Sequence, residues 1–537
     1  MGTYTYPGVY IKEVDTGNKP IVGVSTSIAG FLGIAERGPL AATFLASFAD
    51  YQRSFGTYYT DSFGVQAYLA YAVEGFFQNG GQGCWIARVT SAASAIASTS
   101  LTNITISAAG PGATGGQIGY LIQPGSLANV PTGDKTVFKL SVLYFPTAAS
   151  AKQASGAAPG SAAFQTAVQS ASATEVFDNL STNPSSSTYF VGTINSGSNL
   201  ITVSQTGSGA VLPTAAIALL GAAGGTAGSD GAPLTESDFL VGSSTDPNTP
   251  SGLAALDATD DISIYCCPDE HYLDAVPAPG KSAPAGTLAG DLQTHCENLM
   301  DLFAILQSKV LAGTPTSVIP SQNSTRGYSA FYYPWLNVVN PTTDIVTLVP
   351  PGGHIAGIYA RSDSNYNVAK DPANEQIAGI DSLQLPINNG IQGQLNPIGV
   401  NCLRYFKGQG NLVWGGRTTS PDPDWQYISV RRLFIFVEKS IQQGTQWVVF
   451  EPNSPPTWAR LIRSVSDFLT GLWMQDMLMG ATKDQAYFVR CDTTTMTQTD
   501  IDAGRLIAVI GIAPVKPAEF VIFQIGQWTG GATVTES

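Results

Sequence analysis

The sequence predicts an α/β core assembled from the N- and C-terminal parts of the chain, with an inserted mainly-β domain and extended β-strand arms at both termini. Three observations carry this. A helix-like stretch, 62–79, runs into the apolar β-type run Cys84-Trp-Ile-Ala-Arg-Val89, and a similar run returns at Asp261–Pro268. Helix followed by buried strand is the unit of layered α/β folds. Between them, from about 92 to 235, the chain turns to Ala, Ser, Gly and Thr with short β-type runs bounded by Gly, Asn and Ser, the pattern of an inserted β domain. Finally, β-type runs stand at both ends. The division is therefore 1–20 arm, 21–91 first core part, 92–235 insert, 236–512 second core part, and 513–537 linker and strand arm. At 537 residues the chain exceeds one ordinary core.

The ends deserve the closer reading. Near the start, Tyr4, Tyr6, Val9, Ile11 and Val14 lie in a short β-type run, and Pro7 cannot donate to a ladder, which favours an edge. Near the end, Leu506–Ile512 and Phe520–Ile525 are separated by Ala513-Pro-Val-Lys-Pro517. Two prolines there make a stiff, extended linker. The last run carries Phe520, Ile522 and Ile525, with Trp528 just beyond. Such terminal strands need a sheet. Either they close their own domain, or they complete a neighbour's exposed edge through backbone pairing.

Taken in order, 44–55 and 62–79 read as helices, the second with Ala67, Tyr68, Tyr71, Ala72, Gly75 and Phe76 on one face. Gly80–Gly83 ends it. In the insert, Ile104–Ile106, Val137–Tyr144, Tyr189–Ile194 and Leu200–Val203 read as strands. Leu288–Leu306 reads as a helix with Leu292, Cys296, Leu299, Leu302, Phe303 and Leu306 inward, and Ser429–Gln443 as another. The clearest amphipathic helix is Pro455–Leu478. Trp458, Leu461, Ile462, Val465, Phe468, Leu469, Leu472 and Trp473 form its apolar stripe, with Arg460, Arg463, Ser464 and Asp467 off it. Ser454 followed by two prolines starts it, and Gly480 stops it.

Composition narrows the function. Only 12% of residues are charged against 44% hydrophobic, with net charge −14 and pI near 4.6. That balance argues against a nucleic-acid binder, whose affinity comes from cations on phosphate. The cysteines Cys84, Cys266, Cys267, Cys296, Cys402 and Cys491 show no Cys-x-x-Cys pair and read as buried thiols. No apolar run approaches the ~18 residues of a membrane span, no leader is expected, and assembly in a cytoplasm fits.

Chemistry is sparse. Gly280-Lys-Ser282 fails as a phosphate loop because position 275 is Ala, not Gly. His295 beside Cys296 sits in mid-helix and Asp269-Glu-His271 has no second cluster, so neither reads as a metal site. His354 has no nucleophile nearby in sequence, and paired acids such as Asp260-Asp261 and Asp500/Asp502 read as solvated turns. No catalytic, cofactor or metal site is read, so no enzyme is expected. Arg417 and the pair Arg431-Arg432 are the charges that stand out. They make either internal ion pairs from loop to helix or contacts between subunits that break and re-form.

Longer motifs carry a resemblance. "YPGVYIKEVDTGNKPIVGVSTSIAGFLGIAERGP" resembles the opening of contractile tail sheath proteins, while "NLVWGGRTTSPDPDWQYISVRRL", "QWVVFEPNSPPTWARL", "AYFVRCDTTTMTQTDIDAGRL" and "GIAPVKPAEFVIF" are similar, in order, to that family's C-terminal core. The resemblance covers 1–90 and roughly 235–530. Asn365–Asn374 departs from it, lacking the Gly and Trp that usually precede Pro-Ala-Asn.

The resemblance implies a sheath subunit that forms six-subunit discs stacked helically around an inner tube. The sheath contracts to drive that tube through a target envelope. Neighbouring copies would exchange the terminal strands. The partners implied are an inner tube protein and baseplate and terminal cap proteins, without nucleic acid or membrane insertion. Assembly in a bacterial cytoplasm into a phage tail or injection-system particle is implied too. Inner-tube contact is expected through a helix of the C-terminal core. The candidate is the helix around 457–478 with Arg460, Arg463 and Asp467, and the alternative is the turn Thr499–Gly504. The rival readings are another self-assembling virion protein, capsid or tail component, and a secreted polysaccharide-active enzyme.

Overall fold

The computed structural model describes residues 20–127, 137–222, 224–242, 250–275, 288–310, 318–320 and 324–522. Among them, the central element is a nine-stranded sheet whose strands come from both sides of 92–235. Its order is Glu375–Gln376, Gly410–Trp414, Val400–Phe406, Ser329–Tyr333, Phe303–Gln307, Ile264–Cys266, Ala29–Gly33, Cys84–Arg88 and Thr43–Leu45. The six strands from Val400–Phe406 to Cys84–Arg88 pair in parallel, and antiparallel strands flank them. Parallel strands are covered on both faces, which is why Ala29–Gly33, Phe303–Gln307 and Ser329–Tyr333 are buried throughout.

The Leu69–Gln78 helix packs against the Gly352–Asn365 helix, and glycine sets how close they come. A Cβ on Gly75 would lie 2.4 Å from the His354 ring, and one on Gly353 would lie 2.3 Å from the Ala72 backbone. His354 is thereby sealed in the core, and burial pushes its imidazole down to about 4, so it stays neutral.

Residues 92–235 form two further sheets. One joins Ser98–Leu101, Ile104–Ala108 and Ile201–Gln205. The other joins Ala218–Leu219, Ile118–Pro124, Phe138–Tyr144 and Ala173–Leu180. The region leaves and re-enters the core at nearly one point. The Ala92 N–H donates to Asp238 at 2.9 Å, and the Ala232 N–H to Ser91 Oγ at 3.3 Å. It docks on the core around Glu36, whose carbonyl accepts from Thr114 at 2.8 Å and whose carboxylate accepts from the Tyr144 hydroxyl. Buried Arg88 adds a bond to the Pro111 carbonyl at 2.8 Å.

Several expectations need correction. The insert carries helices as well as strands: Ala148–Ala154, Ala162–Ser170 and Phe190–Gly197 are helical. Tyr189–Ile194, read as a strand, begins the last of these because Phe190 and Ile194 stand one turn apart and both bury. The stretch 44–55 divides into the strand Thr43–Leu45 and the helix Phe48–Phe55, and the next helix starts at Leu69, not near 62. Leu288–Leu306 also divides. Its helix ends at Leu299, Met300 takes a left-handed φ of 60°, and Leu302, Phe303 and Leu306 belong to or lead into a strand. A short apolar run fits either period, and Leu299, expected inside, is exposed. The amphipathic helix is Pro455–Met474. It stops before Gly480, with Asp476 left-handed at φ 58°, and Ser454 occupies its N-cap position without a side-chain capping bond. Ser464, read as off the stripe, is buried.

A candidate assembly interface

The C-terminal lobe has its own core. The helices Ile428–Gly444 and Pro455–Met474 bury Leu433, Val437, Leu461, Val465, Leu469 and Leu472 together. The apolar stripe of the second helix is therefore core, and its opposite face presents Arg460, Arg463 and Asp467 to solvent. Arg460 reaches back to Glu451 at 2.7 Å and stacks over Trp447. The alternative, expected as a turn at 499–504, is instead the short helix Gln498–Asp502 and its end, held by Arg505 on Asp500 at 2.7 Å.

On this core lies a two-stranded antiparallel sheet, Tyr487–Arg490 with Val509–Ile512, in the register Tyr487↔Ile512 to Arg490↔Val509. The Tyr487 hydroxyl meets Thr470 Oγ1 of the long helix at 2.7 Å, which ties this sheet to the helix. Among the described residues no third strand joins either edge. Phe488 and Val509 are exposed on it.

The three singled-out arginines separate. Arg431 is buried, its guanidinium 3.6 Å above the Trp425 ring and donating to the Tyr328 hydroxyl at 2.7 Å. Arg432 is buried against Asp363 at 2.6 Å and donates to the Thr26 carbonyl at 2.8 Å. Burial alone would lower its pKa, yet the Asp363 charge holds it above the usual value. In this chain both are internal, so the reading that placed them between subunits is corrected: neither side chain reaches the surface.

Arg417 does something else. Its Nε and Nη2 donate to Glu519 Oε1 and Oε2 at 2.9 and 2.6 Å. Glu519 also accepts from Asn396 Nδ2 at 2.6 Å and from the Tyr427 hydroxyl at 3.3 Å. Burial would raise this carboxyl, but the Arg417 and Asn396 bonds hold it below the usual range. Sequence reasoning missed Glu519, Asn396 and Tyr427. The available signal was one acid set between Pro517 and the apolar run Phe520-Val-Ile522.

Of the arm residues, Tyr4, Tyr6, Val9, Ile11, Val14, Ile525 and Trp528 lie outside the described residues, whereas Phe520 and Ile522 are described and exposed. The histidines serve structure: His271 bridges Glu270 and Asp274, and His295 bonds Asp257 at 2.8 Å. Among the described residues no group of three or more His, Cys, Asp or Glu could hold a metal ion, and no helix is long and apolar enough to cross a membrane.

Comparison with known proteins decides the family. A family model described as the phage tail sheath protein central domain matches residues 250–419, and one described as the phage tail sheath C-terminal domain matches 420–527. Together they cover more than half of the chain. It belongs to the contractile tail sheath family.

Similar sheath proteins include the tail sheath protein of Vibrio phage KVP40, 30% identical over 177 residues, or 32% of this chain and 26% of that one. The tail sheath protein of Enterobacteria phage T4 is 25% identical over 36% of this chain and 29% of its own length. A putative prophage major tail sheath protein of Pseudomonas aeruginosa is 26% identical over 36% of this chain and 51% of its own. The matches thus span about a quarter to a half of these curated relatives.

The fold extends further. The sheath complex of an extracellular contractile injection system in its contracted state aligns with 98% of this chain and 99% of its own, at TM-score 0.55 and 20% identity. The anti-feeding prophage baseplate structure aligns with 98% and 100% at 0.55 and 23% identity. The sheath tail protein Lin1278 of Listeria innocua aligns with 92% and 96% at 0.56 and 10% identity. At such identities the likeness shows the fold alone. Tail sheath proteins are structural proteins, not enzymes, and this chain is one of that family.

Proposed function

We propose that the sheath chain polymerises as stacked hexameric discs around an inner tube, each copy finished by strands of its neighbours, and that contraction of the lattice drives the tube through a target envelope. The observation that supports this is the sheet Tyr487–Arg490/Val509–Ile512, which among the described residues no third strand joins, although Leu478 bridges its continuation at Pro514. A lone two-stranded sheet is marginal in water, and an open edge is a template for another chain. Residues 3–20 and 518–530 are the strands we assign to such edges, and the domain limits 1–20, 21–91, 92–235, 236–512 and 513–537 are proposed with them.

Backbone pairing keeps copies stitched while near-rigid bodies rotate and slide. Contraction then releases energy by burying surface between discs, at ~25 cal/mol per Å² of apolar area. The sheath chain itself hydrolyses nothing in this scheme. Inner tube, baseplate and terminal cap proteins are its proposed partners, and a bacterial cytoplasm its place of assembly. Arg460, Arg463 and Asp467 are the proposed inner-tube contacts.

Deleting 3–20 or 518–530 separately tests the strand exchange. Each deletion is expected to leave folded subunits that form no tubes in electron micrographs. Normal tubes from both would overturn the scheme.

A further inference from the structure

On leaving the Val509–Ile512 strand, the sheath chain is held twice. At the C-terminal lobe the Ala513 N–H donates to the Ala486 carbonyl and the Met479 N–H to the Ala513 carbonyl, both at 2.8 Å. Pro514 and Pro517 then keep the next residues extended. On the α/β core the Glu519 carboxylate takes the four bonds from Arg417, Asn396 and Tyr427. These donors come from three separate places: just before the Val400–Phe406 strand, just after Gly410–Trp414, and just before the Ile428–Gly444 helix. Directly after this anchor, Phe520, Val521 and Ile522 are 73%, 69% and 82% exposed.

A carboxylate gathering three segments of core, followed at once by three apolar side chains in water, is not how a fraying end is built. Charge-assisted bonds of this geometry fix direction as well as position. The apolar residues beyond need a cover, and the strand-exchange reading names it as an adjoining copy.

We propose that Glu519 is the positioning residue of the C-terminal arm, fixing on the α/β core the point and direction from which the arm reaches an adjoining copy. The spacing between copies is then set by the clamp and the length of chain beyond it, as in a rigid bracket with a short strap. This inference rests on the strand-exchange reading and adds to it where the strand is launched.

The test compares full-length sheath chains carrying E519A, E519Q or the charge swap R417E/E519R with a truncation that ends after Ile522. Thermal unfolding reports whether the subunits fold, and electron micrographs report tube yield and layer-line spacing. The expected result is unfolding close to that of the unaltered chain for E519Q and E519A. Their tubes should be lost or their layer lines blurred, with recovery in the swap. E519Q, equal in size, decides the matter should E519A not fold. Tubes of unaltered yield and spacing from E519Q, alongside none from the truncation, overturn the clamp and leave strand exchange standing. Normal tubes from the truncation overturn both.

Discussion

The Asp269 carboxylate accepts a hydrogen bond from the Tyr68 backbone N–H at 2.7 Å, bridging 201 residues of sequence. Tyr68 is the N-cap of the Leu69–Gln78 helix and offers no side-chain cap, so Asp269 supplies one from beyond the insert. Its second oxygen accepts from the Ile34 N–H at 2.8 Å. One buried acid therefore ties both core parts at the end of the central sheet.

Burial raises this carboxyl to about 7, against the lowering effect of its two N–H partners. A folded-state value above the unfolded one near 3.8 means stability present at low pH and lost as pH rises through about 7. Urea midpoints across that window should fall relative to those of D269N, which does not titrate there. Parallel curves for the two proteins would refute the assignment.

Arg432 and Asp363, 4% and 5% exposed, join the Ile428–Gly444 and Gly352–Asn365 helices. Removing one partner strands the other charge in the core. R432M and D363N should each cost ~3–5 kcal/mol, and the double replacement less than their sum. Denaturant titration of the three variants reads this directly, and additive losses would contradict it.

Replacing 92–235 by a short linker should leave a cooperatively unfolding core, because Ala92 and Asp238 already meet at 2.9 Å. The bonds lost include those at Glu36, one made by Arg88, that of Ser54 with Asn199 and the two at the junction, so the cost should be roughly 3–6 kcal/mol. Circular dichroism melts suffice. Loss of the cooperative transition would show that the insert is needed for the core.

The two faces of the Pro455–Met474 helix should respond differently. Leu469→Ala removes a fully buried side chain and should cost ~2–5 kcal/mol. R460E with R463E, on the exposed face, should change stability by under ~1 kcal/mol while abolishing assembly templated by the inner tube. Unchanged templated assembly would remove this face as the contact.

Elements with one dominant period were legible in the sequence. The stripe from Trp458 to Trp473 repeats over about four turns and has one solution, and the Cys84 strand is set off by glycines. Short apolar runs were not legible, since Leu302–Leu306 satisfies a helix and a buried strand alike, and only Met300 at a positive φ shows the break. The arginines show the same limit at the site. Arg417 and Arg432 are equally conspicuous in the sequence, but whether a charge faces a neighbour depends on partners such as Asp363 and Glu519, which are distant along the chain. Long-range pairing of this kind leaves no local pattern to read.

The two-stranded sheet of the C-terminal lobe has a consequence for length. If every copy is finished by the next, the outermost ring of any stack retains unmet backbone donors and acceptors, and it goes on recruiting subunits. On the proposed strand exchange, growth would then halt only when a protein of different sequence plugs those edges, and the sheath chain would encode how a cylinder is built but not how long it becomes.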